Sequence, residues 1–279
     1  MKQREEMMQQ VSPSVAAARV LAGLRAKKQQ RERIVALTAY DWLTASWLAH
    51  CPVDFLLVGD SLANVVAGHE STLPVTMDEM VYHTRMVVRG AGGVPVIADL
   101  PFLSYEVTPE AAVLNAGRLV KEAGATAVKL EGGAELAPTI ERIVRAHIPV
   151  LGHLGLTPQS VLELGGYKVQ GTHANDAERL RAHARAVQEA GAFALVLECI
   201  PGTLAALITA DLAIPTIGIG AGPDCDGQIL VTHDVLGWFD QPKKFVKQYA
   251  HCRQIATAAI TAFAADVRAG RFPATEHTF

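Results

Sequence analysis

The chain has 279 residues, 50% of them hydrophobic and 19% charged, with a formal net charge of -3. That length supports one large α/β domain or two small ones with a sizeable core; the charge balance, with no basic stripe, gives no reason to expect nucleic acid, and no apolar run reaches the length of a membrane span. The four cysteines, Cys51, Cys199, Cys225 and Cys252, form no CxxC pair, so neither structural zinc nor a disulfide framework is expected and a reducing cytoplasm is the simplest compartment.

Residues 1–10 are polar, carry Glu5 and Glu6, and lack the apolar segment of a secretory signal. Residues 14–26 place Val15, Ala18, Leu21 and Leu24 at helical spacing, with Ser14 as a candidate cap. This lead-in helix, followed by the charged stretch 27–33, is of a kind that covers the bottom of a barrel. The domain reading is an extension over 1–32 and a catalytic domain over 33–279.

From Ile34 onward strand-like and helix-like segments alternate. Eight strands are predicted over 34–38, 54–58, 94–98, 125–130, 148–151, 192–197, 214–219 and 228–231. They are mostly continuous Val/Ile/Leu/Ala runs, the pattern of parallel strands buried on both faces. Helical stretches lie between them, over 77–89, 109–123, 136–146, 177–190 and 204–210. Gly124 and Gly191 in Ala-Gly-Ala suit positions just past a helix end. Eight such units predict an α/β fold, a (β/α)8 TIM barrel. A doubly wound open sheet is the runner-up, but no GxGxxG follows the first strand.

Polar residues end these apolar runs at a recurring place: Asp60, Asp99, Glu131, His153 and Glu198, on strands two to six. Such groups are costly in a buried setting unless they meet each other, a metal or a ligand, and barrel active sites lie at the C-terminal strand ends. Lys129 and Glu131 are two apart and share a face, whereas Cys199 follows Glu198 directly and points away as a packing residue. Asp60, Asp99 and Glu131 repel one another unless a hard cation joins them, and all-oxygen ligation favours Mg²⁺ over Zn²⁺, with one or two direct carboxylates and the remainder through water. The alternative is pairing with arginines or helix caps. Glu198, after four apolar residues, reads as a partly desolvated general base or as a structural partner of Lys129 or His153. Lys129 reads as an electrostatic clamp on a substrate oxygen, with a Schiff-base role redundant beside a metal. His153 reads as a substrate contact or a satisfied core histidine.

Gly218-Ile219-Gly220-Ala221-Gly222 has the look of a barrel phosphate loop, or of a tight backbone turn. Residues 71–76 and 165–171 are polar loops suited to walls or lids. His83, His183 and His251 fall in helical stretches as surface or packing residues. Together the pattern supports a metal-assisted enolase-type or aldol-type enzyme acting on a small oxo acid.

Several longer motifs carry a resemblance: Leu37-Thr38-Ala39-Tyr40-Asp41, Val58-Gly59-Asp60-Ser61-Leu62, Ala98-Asp99-Leu100-Pro101-Phe102, Val128-Lys129-Leu130-Glu131-Gly132-Gly133, Gly152-His153-Leu154-Gly155-Leu156-Thr157-Pro158-Gln159-Ser160 and Leu195-Val196-Leu197-Glu198. From about Ile34 to the C-terminus the chain resembles the ketopantoate hydroxymethyltransferase family. The resemblance implies a cytoplasmic homodecamer of two stacked pentamer rings, acting on small molecules. It implies transfer of a one-carbon unit from 5,10-methylenetetrahydrofolate to 3-methyl-2-oxobutanoate, giving 2-dehydropantoate on the route to pantothenate and coenzyme A. Asp60, Asp99 and Glu131 are then the Mg²⁺ positions, Ser61, Asp99 and Lys129 contact the oxo acid, and Glu198 accepts the proton; Asp60 and His153 join the expected substrate contacts from their strand-end positions. The family commonly has Gly-Met where this chain has Ala63-Asn64, and often Asp in place of Glu70. The rival reading is an Mg²⁺-dependent lyase or mutase of the phosphoenolpyruvate mutase and isocitrate lyase type, whose catalytic loop usually holds a cysteine; Cys225 is the only loop cysteine near a strand end.

Overall fold

A computed structural model describes residues 13–279. The polar segment 1–10 lies outside the described residues. In chain order the elements are α1 (Pro13–Gln30), β1 (Ile34–Thr38), α2 (Trp42–Leu48), β2 (Phe55–Val58), α3 (Leu62–Val65), α4 (Met77–Gly90), β3 (Val96–Asp99), α5 (Pro109–Lys121) and β4 (Ala127–Glu131). They continue with α6 (Ala137–Arg145), β5 (Val150–Gly155), α7 (Val161–Leu164), α8 (Ala174–Glu189), β6 (Ala194–Glu198), α9 (Gly202–Asp211), β7 (Thr216–Ile219), β8 (Gly227–Leu230), α10 (Thr232–Val235) and α11 (Cys252–Arg268). The eight strands close into a barrel in sequence order, every neighbour parallel, with β8 pairing back onto β1.

All eight predicted strands are present: β1 matches to the residue, β5 runs four residues further than predicted, and the other bounds shift by at most two. Part of the shift has one cause. Pro95, Pro149 and Pro215 stand directly before β3, β5 and β7. Proline cannot donate to the ladder, so these strands begin one residue later, while the proline carbonyls still accept from Leu56, Val128 and Leu195. Three helices start at side-chain caps. Asp41 caps α2. Thr76 and Glu79 form a reciprocal capping box on α4, and Thr108 caps α5 ahead of Pro109. α5 buries Ala112, Ala116 and Leu119, one stripe at helical spacing.

Inward-facing side chains divide the cylinder in two. The lower part is apolar: Ile34, Phe55, Leu57, Ile97, Leu151 and Val196 cluster with Leu21 and Leu24 of α1. The lead-in helix therefore covers the bottom. It begins at Pro13, which puts Ser14 inside its first turn instead of at the cap, and runs on to Gln30 through the basic residues expected to follow it. Its last turn is clamped: Lys27 Nζ lies 2.5 Å from Asp54 and Lys28 Nζ 2.9 Å from Asp226, with Lys28 also donating to the Thr209 carbonyl at 2.8 Å. Both partners of the Lys28 pair are largely buried, so Lys28→Met is expected to lower the unfolding free energy by about 1–3 kcal/mol in urea titrations. An unchanged value would show that the apolar face alone holds the helix.

One connection departs from the strand–helix alternation. β7 and β8 are joined by a turn over 220–226, with Gly220 and Gly222 at φ +64° and +80°. Gly218 and Ile219 belong to β7 itself. Of the two readings of this glycine-rich stretch, the tight backbone turn is the one observed, since no helix start follows it to receive a phosphate. Residues through Leu230 form one compact unit, and Val231–Phe279 forms a second, in which Phe263 and Phe272 pack edge-on at 5.4 Å.

Candidate active site

The upper part of the cylinder is polar. Strand register aligns Asp99 with Lys129, Glu131 with His153, and Gly155 with Glu198. Alternation along each strand then points Ile97 and Asp99, or Ala127, Lys129 and Glu131, to the same interior face. Asp60 follows β2 by two residues, and its backbone N–H donates to Asp99 Oδ2 at 3.1 Å. Gly155, at φ +99°, lets β5 and β6 close up beside Glu198: a Cβ there would lie 2.1 Å from the Glu198 carbonyl oxygen.

The charged groups meet as expected from their strand positions. Lys129 Nζ lies 2.7 Å from Asp99 Oδ1 and 3.8 Å from Glu131 Oε1. His153 stands between two carboxylates, Nδ1 at 3.1 Å from Glu131 Oε1 and Nε2 at 3.3 Å from Glu198 Oε2. Ser61 Oγ and the buried Tyr40 hydroxyl share a hydrogen bond of 2.8 Å. Asp60, Asp99, Lys129, Glu131 and His153 are buried, whereas the Glu198 side chain keeps 15% of its surface open.

Four carboxylates face one ammonium and one imidazole, so negative charge is in excess. Burial, reinforced by Asp99 and Glu131, pushes the Asp60 carboxyl up to about 8. Burial also raises Asp99, against the pull of Lys129. Glu131 moves the other way: burial would raise it, but His153 and Lys129 outweigh that and hold it below the ordinary carboxylate range. For His153, burial and Lys129 favour the neutral ring, yet Glu131 and Glu198 prevail and lift it to about 9. Burial would lower Lys129, but Asp99, Glu131 and Asp60 hold its ammonium well above the usual value. Two buried atoms, Asp99 Oδ1 and His153 Nε2, have no aligned hydrogen bond despite their charged neighbours. Among the described residues no three Asp, Glu, His or Cys side chains converge tightly enough to enclose a metal ion.

Three buried residues of this cluster were not singled out by the strand-end pattern: Tyr40, Tyr105 and Gln159. Gln159 donates to Asp60 Oδ2 at 2.9 Å and to the Leu100 carbonyl at 3.0 Å, and Tyr105 donates to Gln159 Oε1 at 2.7 Å. The available signal was their place in the quoted motifs for Tyr40 and Gln159; Tyr105 gave none. Of the two expected lids, 71–76 is tied down by the Thr76 capping box. The stretch 165–171 carries an exposed Tyr167 and is anchored where the Gln170 N–H meets the Cys199 carbonyl at 2.9 Å. Asn64, at the position of the family's methionine, closes its own loop by donating to the His69 carbonyl at 2.8 Å. Cys225 is fully buried, beside Thr209 and Thr216 at the start of β7 and away from the polar end.

A closed parallel barrel crowned by buried carboxylates, a lysine and a histidine at its strand ends defines a barrel enzyme. The sequence profile of ketopantoate hydroxymethyltransferase matches residues 19–275, and the chain belongs to that family. A 3-methyl-2-oxobutanoate hydroxymethyltransferase of Moorella thermoacetica is 56% identical over 260 residues, covering 93% of this chain and 97% of the relative. The chain is thus a one-carbon transferase of the pantothenate route. Among solved structures it is similar to a 2,3-dimethylmalate lyase of the PEP mutase/isocitrate lyase superfamily, at TM-score 0.58 and 19% identity over 93% of this chain and 91% of that one. It is also similar to a phosphonopyruvate hydrolase solved with oxalate and Mg²⁺, at TM-score 0.61 and 15% identity over 92% of each chain. At such identities the likeness concerns the fold alone.

Proposed function

We propose that the polar end of the barrel transfers the hydroxymethyl group from 5,10-methylenetetrahydrofolate to 3-methyl-2-oxobutanoate, giving 2-dehydropantoate, with Glu198 as the base. The observation that carries this reading is the position of Glu198: it is the one open carboxylate beside a sealed cluster of Asp60, Asp99, Lys129 and Glu131. A base must reach substrate, whereas groups that bind charge work best desolvated.

The donor set fits a hard divalent cation. Asp60 and Asp99 are adjacent, charge-rich and all-oxygen. Glu131 has both oxygens committed, to His153 and to the Gln159 N–H. Asp60, Asp99 and Glu131 are the residues that would hold Mg²⁺, one or two of them directly and the remainder through water. When bound, Mg²⁺ acts as a Lewis acid that polarises the 2-oxo group. Ser61, Asp99 and Lys129 orient the oxo acid, and the Lys129 ammonium offsets the negative charge that develops on its oxygen. Glu198 takes the C3 proton, and the electron pair left on C3 forms the new bond to the folate methylene carbon as one of that carbon's two C–N bonds breaks; the second C–N bond breaks when water adds, and the proton from C3 and one from water end on the two folate nitrogens. Water supplies the hydroxyl oxygen and tetrahydrofolate leaves. His153, fixed through Glu131 at Nδ1, holds Glu198 through Nε2 beside the substrate. The same reading carries a cytoplasmic homodecamer; among the described residues no helix is long and apolar enough to cross a membrane.

The test is product formation by chelated protein with and without Mg²⁺ and with and without the folate. 2-Dehydropantoate is expected only when both are present. Turnover of the oxo acid without folate would instead favour lyase or mutase chemistry. Because Asp60 is lifted to about 8, the cation must displace a proton. Apparent Mg²⁺ affinity is expected to rise with pH and level off above about 8, with proton release seen by calorimetry in two buffers. A pH-independent affinity would exclude Asp60 as a ligand.

A further inference from the structure

Gln159 sits just past β5, buried, in the short turn Pro158–Ser160. Its side-chain amide and its backbone N–H are all committed. Its amide nitrogen has two hydrogens, and they go to Asp60 Oδ2 and the Leu100 carbonyl, at 2.9 and 3.0 Å. Its backbone N–H goes to Glu131 Oε2 at 3.0 Å. Its carbonyl oxygen accepts from Tyr105 at 2.7 Å, and the Tyr105 oxygen in turn accepts from the Glu131 N–H at 3.3 Å. The orientation of the amide is settled by chemistry: the Leu100 carbonyl is an acceptor only, so the NH₂ end must face it. One residue thus joins the end of β2, the loop after β3, the end of β4 and the turn after β5.

We propose that Gln159 is the positioning residue that sets the spacing and orientation of Asp60 and Glu131 for the divalent cation. This rests on the cation site proposed above. It fixes Asp60 by Oδ2, and by occupying Glu131 Oε2 from the backbone it turns that carboxylate toward His153. Tyr105 prevents the amide from rotating. Partners of this kind that orient ligand carboxylates affect metal affinity strongly even though they never touch the ion.

The test uses Mn²⁺ as the probe, with binding to the full chain followed by electron paramagnetic resonance in the absence of substrates. Gln159→Met keeps the length and the backbone N–H but removes the amide. It is expected to bind Mn²⁺ about 10- to 100-fold more weakly, and to regain turnover when Mn²⁺ is raised to saturation. Tyr105→Phe leaves the amide in place but frees its carbonyl end, and should weaken binding about fivefold, the equivalent of one hydrogen bond. It gives a second readout that does not depend on Gln159→Met folding. If the unaltered protein binds no Mn²⁺, the cation site itself is wrong. If it binds and neither variant is weaker, the site stands and the role of Gln159 is overturned. Weaker binding that saturation does not rescue would mark the residue as merely structural and would also overturn the proposal.

Discussion

Glu198→Gln is expected to lower kcat by about 10²–10⁴-fold, the usual contribution of a positioned proton acceptor, while divalent-cation affinity stays unchanged. The substitution is isosteric, so packing at the end of β6 and the approach of His153 Nε2, at 3.3 Å, are kept. Only the ability to accept a proton is removed. Asp60, Asp99 and Glu131 cannot substitute: they are sealed from solvent and already engaged with Lys129, His153 and Gln159. Loss of proton abstraction can be read separately from transfer by following exchange of the C3 hydrogen of 3-methyl-2-oxobutanoate into D₂O by NMR. Exchange should vanish in the variant even without folate. An exchange rate equal to that of the unaltered protein would remove Glu198 from the role of base.

Lys129→Met is expected to destabilise the chelated protein by about 3–5 kcal/mol, the cost of stripping one partner from a buried ion pair. The ammonium is the only lysine charge among the buried carboxylates, 2.7 Å from Asp99. The loss has a definite pH signature. Asp60 already binds its proton up to about 8, far above an unfolded aspartate near 4. Without Lys129 the carboxyls rise further, so the folded state binds protons the unfolded state has released, and stability falls as pH rises. The deficit in urea unfolding is therefore widest near pH 8–9 and narrows toward pH 5. Added Mg²⁺ should recover part of it by supplying the missing positive charge. A deficit independent of pH would mean that the lysine stabilises through its aliphatic stem instead of its charge.

The fold was legible because its signal is repetitive. Buried parallel strands read as continuous apolar runs, and β1 was found to the residue because nothing in it competes with that pattern. Strand starts at β3, β5 and β7 were displaced because apolar residues ahead of each proline look like strand but cannot extend the ladder. The helix α2 was not singled out: it turns only Ala45 and Leu48 to the core while Trp42, Leu43 and Trp47 are exposed, so its apolar residues surround it and only the Asp41 cap marks its start. The charged strand ends were legible for the same repetitive reason. Tyr105 was not, and Gln159 only as a member of a quoted motif, because they reach the cluster from loops after β3 and β5, and contact across 54 residues leaves no local pattern. His153 was left between two readings; the structure places its Nδ1 3.1 Å from Glu131 Oε1 and its Nε2 3.3 Å from Glu198 Oε2.

The clamp between Lys28 and Asp226 has a consequence for how the cylinder assembles. These residues are 198 positions apart, and they stand at the seam where β1 meets β8. Every other strand pair links neighbours in sequence, so ring closure there carries by far the largest loop entropy. The chain must be made through Leu230 before the ring can shut, and with no helix between β7 and β8 the last two strands arrive almost together. Strands β2 to β6, which carry all the proposed chemistry, lie away from that joint. A transient opening of the seam therefore exposes the first and last strands to solvent while the catalytic staves keep their mutual register.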